Sequence, residues 1–290
     1  MIKFKKISNE APYIVFKNSY DEALKNKQKN MEALCISSYS KNTNEVNARF
    51  VNLKIIQDKN LQKSFFKENK IPTSNFKFFD SIVSLKKSVQ RNEITLPSVW
   101  KKTKYGYDGF GVKKVSNIKE VNQLKDCHCI IEELVDIKKE LAVMVISSKS
   151  GEIKNYNTVE MEFNKNSNQV EYILSPANIS EKLSLEAENL AVDLAKKLKI
   201  VGLLAVEMFL NSEGEILVNE VAPRPHNSYH FSIEGSYTSQ FEQLLRSILG
   251  IPLGSTKTIQ NSVMVNLVGD EGYSGPANYN DFDQIIGIEG

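Results

Sequence analysis

Two glutamates, Glu207 and Glu220, sit inside strand-like segments made otherwise of Leu, Val, Ala, Met, Phe and Ile, in VGLLAVEMFL and EILVNEV. The NSEG between them has the length and the glycine of a hairpin turn. With the turn centred between Ser212 and Glu213, Glu207 falls opposite Val218 and Glu220 takes the diagonal position on the same face, about 7 Å away between Cβ atoms. Unpaired carboxylates in such surroundings are costly, so a cation is expected between them. Mg²⁺, with Mn²⁺ as a substitute, fits if a phosphate-bearing substrate supplies the rest of its oxygen shell. The alternative is a pair that faces solvent or meets lysines in ordinary salt bridges. The residues after Glu220 favour the metal: APRPHNS sets Arg224 and His226 a few positions beyond it, with Pro223 and Pro225 stiffening the backbone. His226 and His230 have an HxxxH spacing, but no helix or third ligand accompanies them as zinc would require.

A second group lies in WKKTKYGYDGFGV. Gly106, Gly109 and Gly111 make a loop whose backbone N–H groups can approach phosphates, directly after a strand that carries Lys101. No Gly-Lys-Ser/Thr follows, so this is not a Walker A loop, and a tight hairpin turn explains the glycines nearly as well. Lys101 could neutralise phosphate charge, whereas Lys102 points to the opposite face. A third group is IIEELVDIKKEL, where Glu132 ends one strand and Glu140 begins the next. The backbone between them could meet an adenine edge while Glu140 accepts from ribose hydroxyls.

The elements that must position these residues are unevenly legible. Residues 1–50 are rich in Lys and Asn, with a helical pattern only around YDEALKNKQKNMEAL. A charged helix in QDKNLQKSFFKENKIP ends at the proline, and Phe76 opens an alternating segment that leads to LPSVWKKT. HCIIEELV, ELAVMVIS and IKNYNTVEMEF read as three strands of one antiparallel sheet. From Ser180 to Ile200, leucines and alanines recur every three or four residues and predict a long amphipathic helix. TSQFEQLLRSILG predicts a second one, stopped at Gly250, and SVMVNLVG a last strand.

At 290 residues and 41% hydrophobic content the chain can bury a sizeable core. Its +2 net charge comes from scattered lysines and acids, with no basic stripe for nucleic acid. No apolar run approaches the roughly eighteen residues of a membrane span, and MIKFKKISNE lacks the apolar stretch of a signal peptide, so a cytoplasmic protein with reduced thiols is expected. The CHC at 127–129 resembles a metal cluster, but neighbours on a strand point to opposite faces.

A lysine-bearing strand, a glycine flap, an acidic hinge and paired glutamates on a later hairpin, in that order, resemble the ATP-grasp enzymes. Within them, QDKNLQK, PSVWKKTKYGYDGFGV, IIEELVDIKKELAVMV, YNTVEMEF and the long run from EILVNEVAPRPHNS are similar to the 5-(carboxyamino)imidazole ribonucleotide synthase family over residues 55–290. The resemblance implies an α+β ATP-grasp fold with an abbreviated N-terminal α/β region (1–55), an ATP-grasp domain (56–250, flap about 95–165) and a truncated C-terminal region (251–290). It implies a carbon–nitrogen ligase of purine biosynthesis that carboxylates 5-aminoimidazole ribonucleotide with bicarbonate and ATP, acts as a homodimer, and binds neither nucleic acid nor membrane. By matching position, Lys59, Lys101, Glu132, Glu133, Val135, Glu140, Asn219 and Glu220 would bind ATP, and Glu207 and Glu220 the Mg²⁺. Tyr107, Asp108, Arg224 and His226 would be catalytic, with Asn227 and Ser228 binding substrate. The chain departs from the family in lacking a GGGQLG-like opening and a closing basic segment, which implies a fragment or an incomplete site for the substrate phosphate. Phe110 stands where the flap has Lys or Arg, Asn164 and Leu244 replace histidines, and Tyr229 replaces a glycine. A weakened ATP-binding partner, or a ligase whose acceptor pocket is reshaped by Phe110 and Tyr229, would be the alternative readings.

Overall fold

A computed structural model describes residues 58–104, 111–163 and 170–266, the backbone of 34–40 and 45–51, and positions 56, 284 and 287. Three antiparallel sheets organise these residues. The first is the hairpin β1 (Leu34–Ser40) and β2 (Glu45–Val51). Most of the helical pattern expected around residues 20–34 lies outside the described residues, and Leu34 opens β1 instead.

The second sheet has four strands in the order β3 (Phe76–Phe79), β6 (Cys129–Glu133), β4 (Ser98–Lys102), β5 (Val112–Val115). Trp100, Ile131, Cys129 and Phe79 on one face pack against helix α2 (Ile82–Gln90) and the short α3 (Ile118–Asn122). Asp58 caps α1 (Lys59–Glu68), the charged helix read from the sequence, by accepting from the Asn60 and Leu61 amides.

The third sheet has seven strands: β12 (Ile216–Ala222), β11 (Gly202–Asn211), β7 (Ile137–Ser147), β9 (Val159–Phe163), β10 (Val170–Ser175) and β13 (Ser262–Val265) in order, with β8 (Ile153–Asn155) beside β7. The three strand signals at 128–163 therefore do not share one sheet. HCIIEELV forms β6 of the small sheet, ELAVMVIS forms β7 of the large one, and the third signal breaks into β8 and β9 at Tyr156, which turns into the core. The small sheet accordingly runs from Phe76 to Glu133.

Each face of the large sheet has its own core. Leu204, Val206, Met208 and Leu210 of β11, with Leu141, Val143 and Val145 of β7, pack under α1 and the long helix α4 (Glu181–Leu198). Ser180 caps α4, and its buried Ala187, Ala191, Leu194, Ala195 and Leu198 are the stripe that the periodicity predicts. On the other face, Leu203 and Ala205 join Ala142, Met144, Tyr156, Tyr229 and Phe231. That face is closed by the segment that follows β12, including α5 (Ser232–Gly235) and α6 (Gln240–Leu249), whose C-cap Gly250 adopts φ +73°.

Candidate functional site

The hairpin of β11 and β12 places the two glutamates more closely than the regular register does. Glu207 pairs directly with Glu220, because the register slips between the 207–220 pair and the 208–218 pair and leaves Asn219 as a bulge. The expected partner of Glu207, Val218, instead faces Met208. The bulge also reverses the side-chain parity of β12. Ile216, Val218 and Val221 all pack in the helix-covered core, while Glu220 is turned to the face of Glu207.

Two carboxylates directly opposite one another repel, and each has a cationic or hydrogen-bonding partner here. The Lys59 ammonium bonds Glu220, and His226 Nε2 lies 3.1 Å from Glu207 Oε1. Burial pushes Glu207 upward, but the His226 contact and the charges of Lys59 and Lys101 outweigh it and hold the carboxyl below its ordinary range. Burial, with repulsion from Lys101, pulls Lys59 down to about 8 against the attraction of Glu207 and Glu132. The salt-bridge alternative and the metal reading are thus not exclusive: the oxygens that could hold a divalent cation are held ready by a lysine and a histidine. Such an all-oxygen pair fits Mg²⁺, and among the described residues no set of three His, Cys, Asp or Glu side chains forms a fuller cage.

Lys101 reaches this group from the small sheet. Its Nζ lies 2.8 Å from Asn219 Oδ1 on the bulge and 3.1 Å from Glu132. On the small sheet, Trp100 faces the α2 side and Lys101 the opposite side, which is turned to the large sheet. Glu132 is only 2% exposed, and its carboxylate also meets Lys63 at 3.2 Å and the Ser74 hydroxyl at 2.7 Å. Its side chain is therefore committed to the lysines rather than free to meet a base. Burial works against its charge, but Lys101 and Lys63 prevail and hold the carboxyl below the usual range.

Glu140, at the start of β7, pairs with Phe209 and Met161 and lies on the same face as Glu207. Burial first, then the Glu207 charge, raises it to about 7 against the pull of Lys101. Glu133 is exposed and accepts from Asn75, and Val135 follows it in the connection to β7. The segment after β12 orders the remaining candidates. His226 Nδ1 receives the Ser228 amide at 3.4 Å and lies 2.7 Å from its hydroxyl, which leaves Nε2–H for Glu207. Asn227 buries a side-chain oxygen that has no partner among the described residues. Arg224 is exposed and donates to the Pro225 carbonyl at 3.1 Å, and among the described residues no ion pair joins it to the paired glutamates. Tyr107 and Asp108, with Phe110 and Asn164, lie outside the described residues.

Tyr229 lies in the core on the face of the large sheet opposite the long helix. It is fully buried between Tyr156 and Phe231, and its hydroxyl reaches the carbonyls of Ala142 at 2.9 Å and Asn157 at 2.8 Å. Three residues that carry no motif of their own support the site. Gln62 accepts from the Val221 amide at 3.2 Å, Gln240 brackets the His226 backbone at 2.8 and 2.9 Å, and Lys63 meets Glu132. Lys59, Gln62 and Lys63 share the i, i+3, i+4 spacing of one helix face, a signal present in QDKNLQK.

The ATP-grasp domain model matches residues 64–241, which include the small sheet and the hairpin of paired glutamates. The chain belongs to the ATP-grasp family. This ATP-grasp chain is 39% identical over 224 residues to N5-carboxyaminoimidazole ribonucleotide synthase of Bacillus subtilis, covering 76% of the chain and 58% of that protein. It is 35% identical to the enzyme of the same name in Aquifex aeolicus, with 79% and 60% covered. Among solved structures, the Thermotoga maritima N5-carboxyaminoimidazole ribonucleotide synthetase superposes with a TM-score of 0.67 at 43% identity, over 76% of this chain and 56% of that one. The Aspergillus clavatus synthase, solved in complex with ADP and 5-aminoimidazole ribonucleotide, gives a TM-score of 0.68 at 30% identity, over 75% and 58%. The chain thus spans under two thirds of the length of these relatives. Among its described residues no helix is long and apolar enough to cross a membrane.

Proposed function

We propose that this chain carries the ATP-binding part of a ligase that carboxylates 5-aminoimidazole ribonucleotide with bicarbonate and ATP. The observation that carries the reading is the junction of the two sheets at Lys101 and Asn219, which gathers two lysines and two facing glutamates. A polyanion with a divalent counter-ion is the ligand class that matches both charges at once.

Lys101 and Lys59 hold the transferring phosphates, and Glu140 takes the ribose hydroxyls. The backbone at Glu133 and Val135, beside Glu132, lines the adenine. Glu207 and Glu220, with Asn219 beside them, would hold Mg²⁺, whose charge would offset that of the transferring phosphoryl group. Transfer of the terminal phosphoryl group to bicarbonate gives carboxyphosphate and ADP. The exocyclic amine then attacks the carboxyl carbon and phosphate leaves. His226 Nε2–H, oriented by Ser228 and fixed by Gln240, supplies a donor beside Glu207. Arg224, Asn227, Ser228 and the flap residues Tyr107 and Asp108 bind bicarbonate and the acceptor. The unpartnered Asn227 oxygen is an acceptor suited to that amine. The same reading carries a homodimer in the cytoplasm.

Phosphate release from ATP with Mg²⁺ and bicarbonate, with and without 5-aminoimidazole ribonucleotide, tests the proposal. Release stimulated by the ribonucleotide is expected, and Glu220→Ala is expected to abolish it with little loss of fold, since it removes an oxygen ligand rather than core volume. Unchanged turnover in Glu220→Ala would refute the metal assignment. Nucleotide binding without stimulated release favours an ATP-binding partner.

A further inference from the structure

Lys63 is 2% exposed, lies on α1 facing inward, and has no place in the proposed reaction. Its ammonium meets three acceptors: Thr73 Oγ1 at 2.7 Å, Ser74 Oγ at 2.9 Å and Glu132 Oε2 at 3.2 Å. An ammonium has three protons, so the group is satisfied as a cation. A buried lysine fully satisfied around a carboxylate that already has a lysine partner is surplus to neutralisation. Glu132 contributes one negative charge, while Lys63 and Lys101 contribute two positive ones.

The contacts also form a closed circuit. From Lys63 one arm runs through Glu132 to Lys101 and on to Asn219 Oδ1. The other runs through Thr73, whose hydroxyl donates to the Val218 carbonyl at 2.7 Å. The Val218 amide donates in turn to the Pro72 carbonyl at 2.8 Å. Both arms therefore end on neighbouring residues of β12, at the bulge that turns Glu220 onto Glu207.

We propose that Lys63 is a positioning residue that acts on the ligand through Lys101: by sharing Glu132 it leaves Lys101 with charge to spare for an anionic ligand. The proposal rests on the nucleotide-binding reading of the site. Burial, joined by repulsion from Lys101 and Lys59, pulls the Lys63 ammonium down to about 8 against the attraction of Glu132, so its charge is retained at neutral pH at some cost. A charge kept under such strain in a site of this kind points to a use beyond packing.

The test is ATP binding by calorimetry at pH 7 with Mg²⁺, for the wild-type chain, for Lys63→Met, and for Lys63→Met combined with Glu132→Gln. In Lys63→Met the remaining pair, Lys101 and Glu132, sums to zero charge, and affinity is expected to fall about tenfold with a weaker salt dependence. In the double variant Lys101 regains its free charge, and most of the loss is expected to be recovered. A purely structural lysine would give no such rescue. Lys63→Met binding like the wild type, or a double variant as weak as the single one, would overturn the proposal. If Lys63→Met does not fold by circular dichroism, the double variant, which buries neither charge, decides alone: binding nearer to wild type than about tenfold supports the proposal, and a larger loss overturns it. Failure of the wild-type chain to bind ATP would sink the nucleotide reading instead.

Discussion

Glu140 makes the folded chain sensitive to pH in a direction that can be worked out. Among the described residues no donor bonds its carboxylate, and burial followed by the Glu207 charge raises it from 4.5 to about 7. Below pH 4.5 the group is protonated in both the folded and the unfolded chain and costs nothing. Between 4.5 and 7 the unfolded chain releases the proton while the folded one keeps it, so stability falls as pH rises, and above 7 the loss is complete. At about 1.4 kcal/mol for each pH unit of that gap the limit is about 3 kcal/mol, and partial contact with water brings it to about 2. Glu140→Gln removes the titration but keeps the shape. Urea unfolding of both chains at pH 5, 6, 7 and 8, without ligand, should show the variant gaining about 2 kcal/mol over the wild type across the series. A difference that stays flat, or shrinks as pH rises, would refute the reasoning. The wild-type residue is then one that lowers the stability of the empty protein above pH 4.5, the trade expected if it serves a ligand.

Two other expectations concern the scaffold. Tyr229→Ala should cost about 3 to 5 kcal/mol in urea unfolding, because it empties a fully buried ring site, and Tyr229→Phe about 1, because it loses only the hydroxyl bonds to two carbonyls. An equal, negligible effect of both would contradict the core placement. Gly250→Ala should cost about 1 kcal/mol, since φ is +73° there, and a neutral result by thermal unfolding would mean that the C-cap relaxes freely.

Elements with a strong local signal were legible. Helix α4, with its Ser180 cap and leucine–alanine stripe, and the Gly250 stop of α6 follow from side chains a few residues apart. Residue type also singled out Lys101, Glu207, Glu220 and His226, which the fold places in one group around the β11–β12 hairpin. Long-range choices were not. Nothing local tells β6 from β7 as members of different sheets, and both read as the same apolar alternation. The bulge at Asn219 is a slip of one residue, which hydrophobic alternation cannot foresee because Val218 and Val221 look like ordinary strand positions. Helix α2 does not stand out between two strand signals because it is only nine residues long and buries only Ile82 and Leu85 fully, with Val83 exposed. Lys63 looked like any surface lysine of a charged helix, and only its tertiary partners across 69 residues of sequence, from Lys63 to Glu132, reveal its place.

Strand β11 separates two kinds of environment, and it does so residue by residue. Val206 and Met208 lie against the helices, Ala205 lies in the opposite core with Ala142 and Tyr229, and Glu207, further along that second face, looks toward Glu220 and His226. Changes along this one strand should therefore register alternately in two different readouts, unfolding for even positions and ligand affinity for those odd positions that reach the glutamate pair. A catalogue of tolerated variants would show the pleat itself as an oscillation of period two. Across the bulge in β12 that oscillation should lose step by one residue, so the phase of genetic tolerance would carry a record of backbone register.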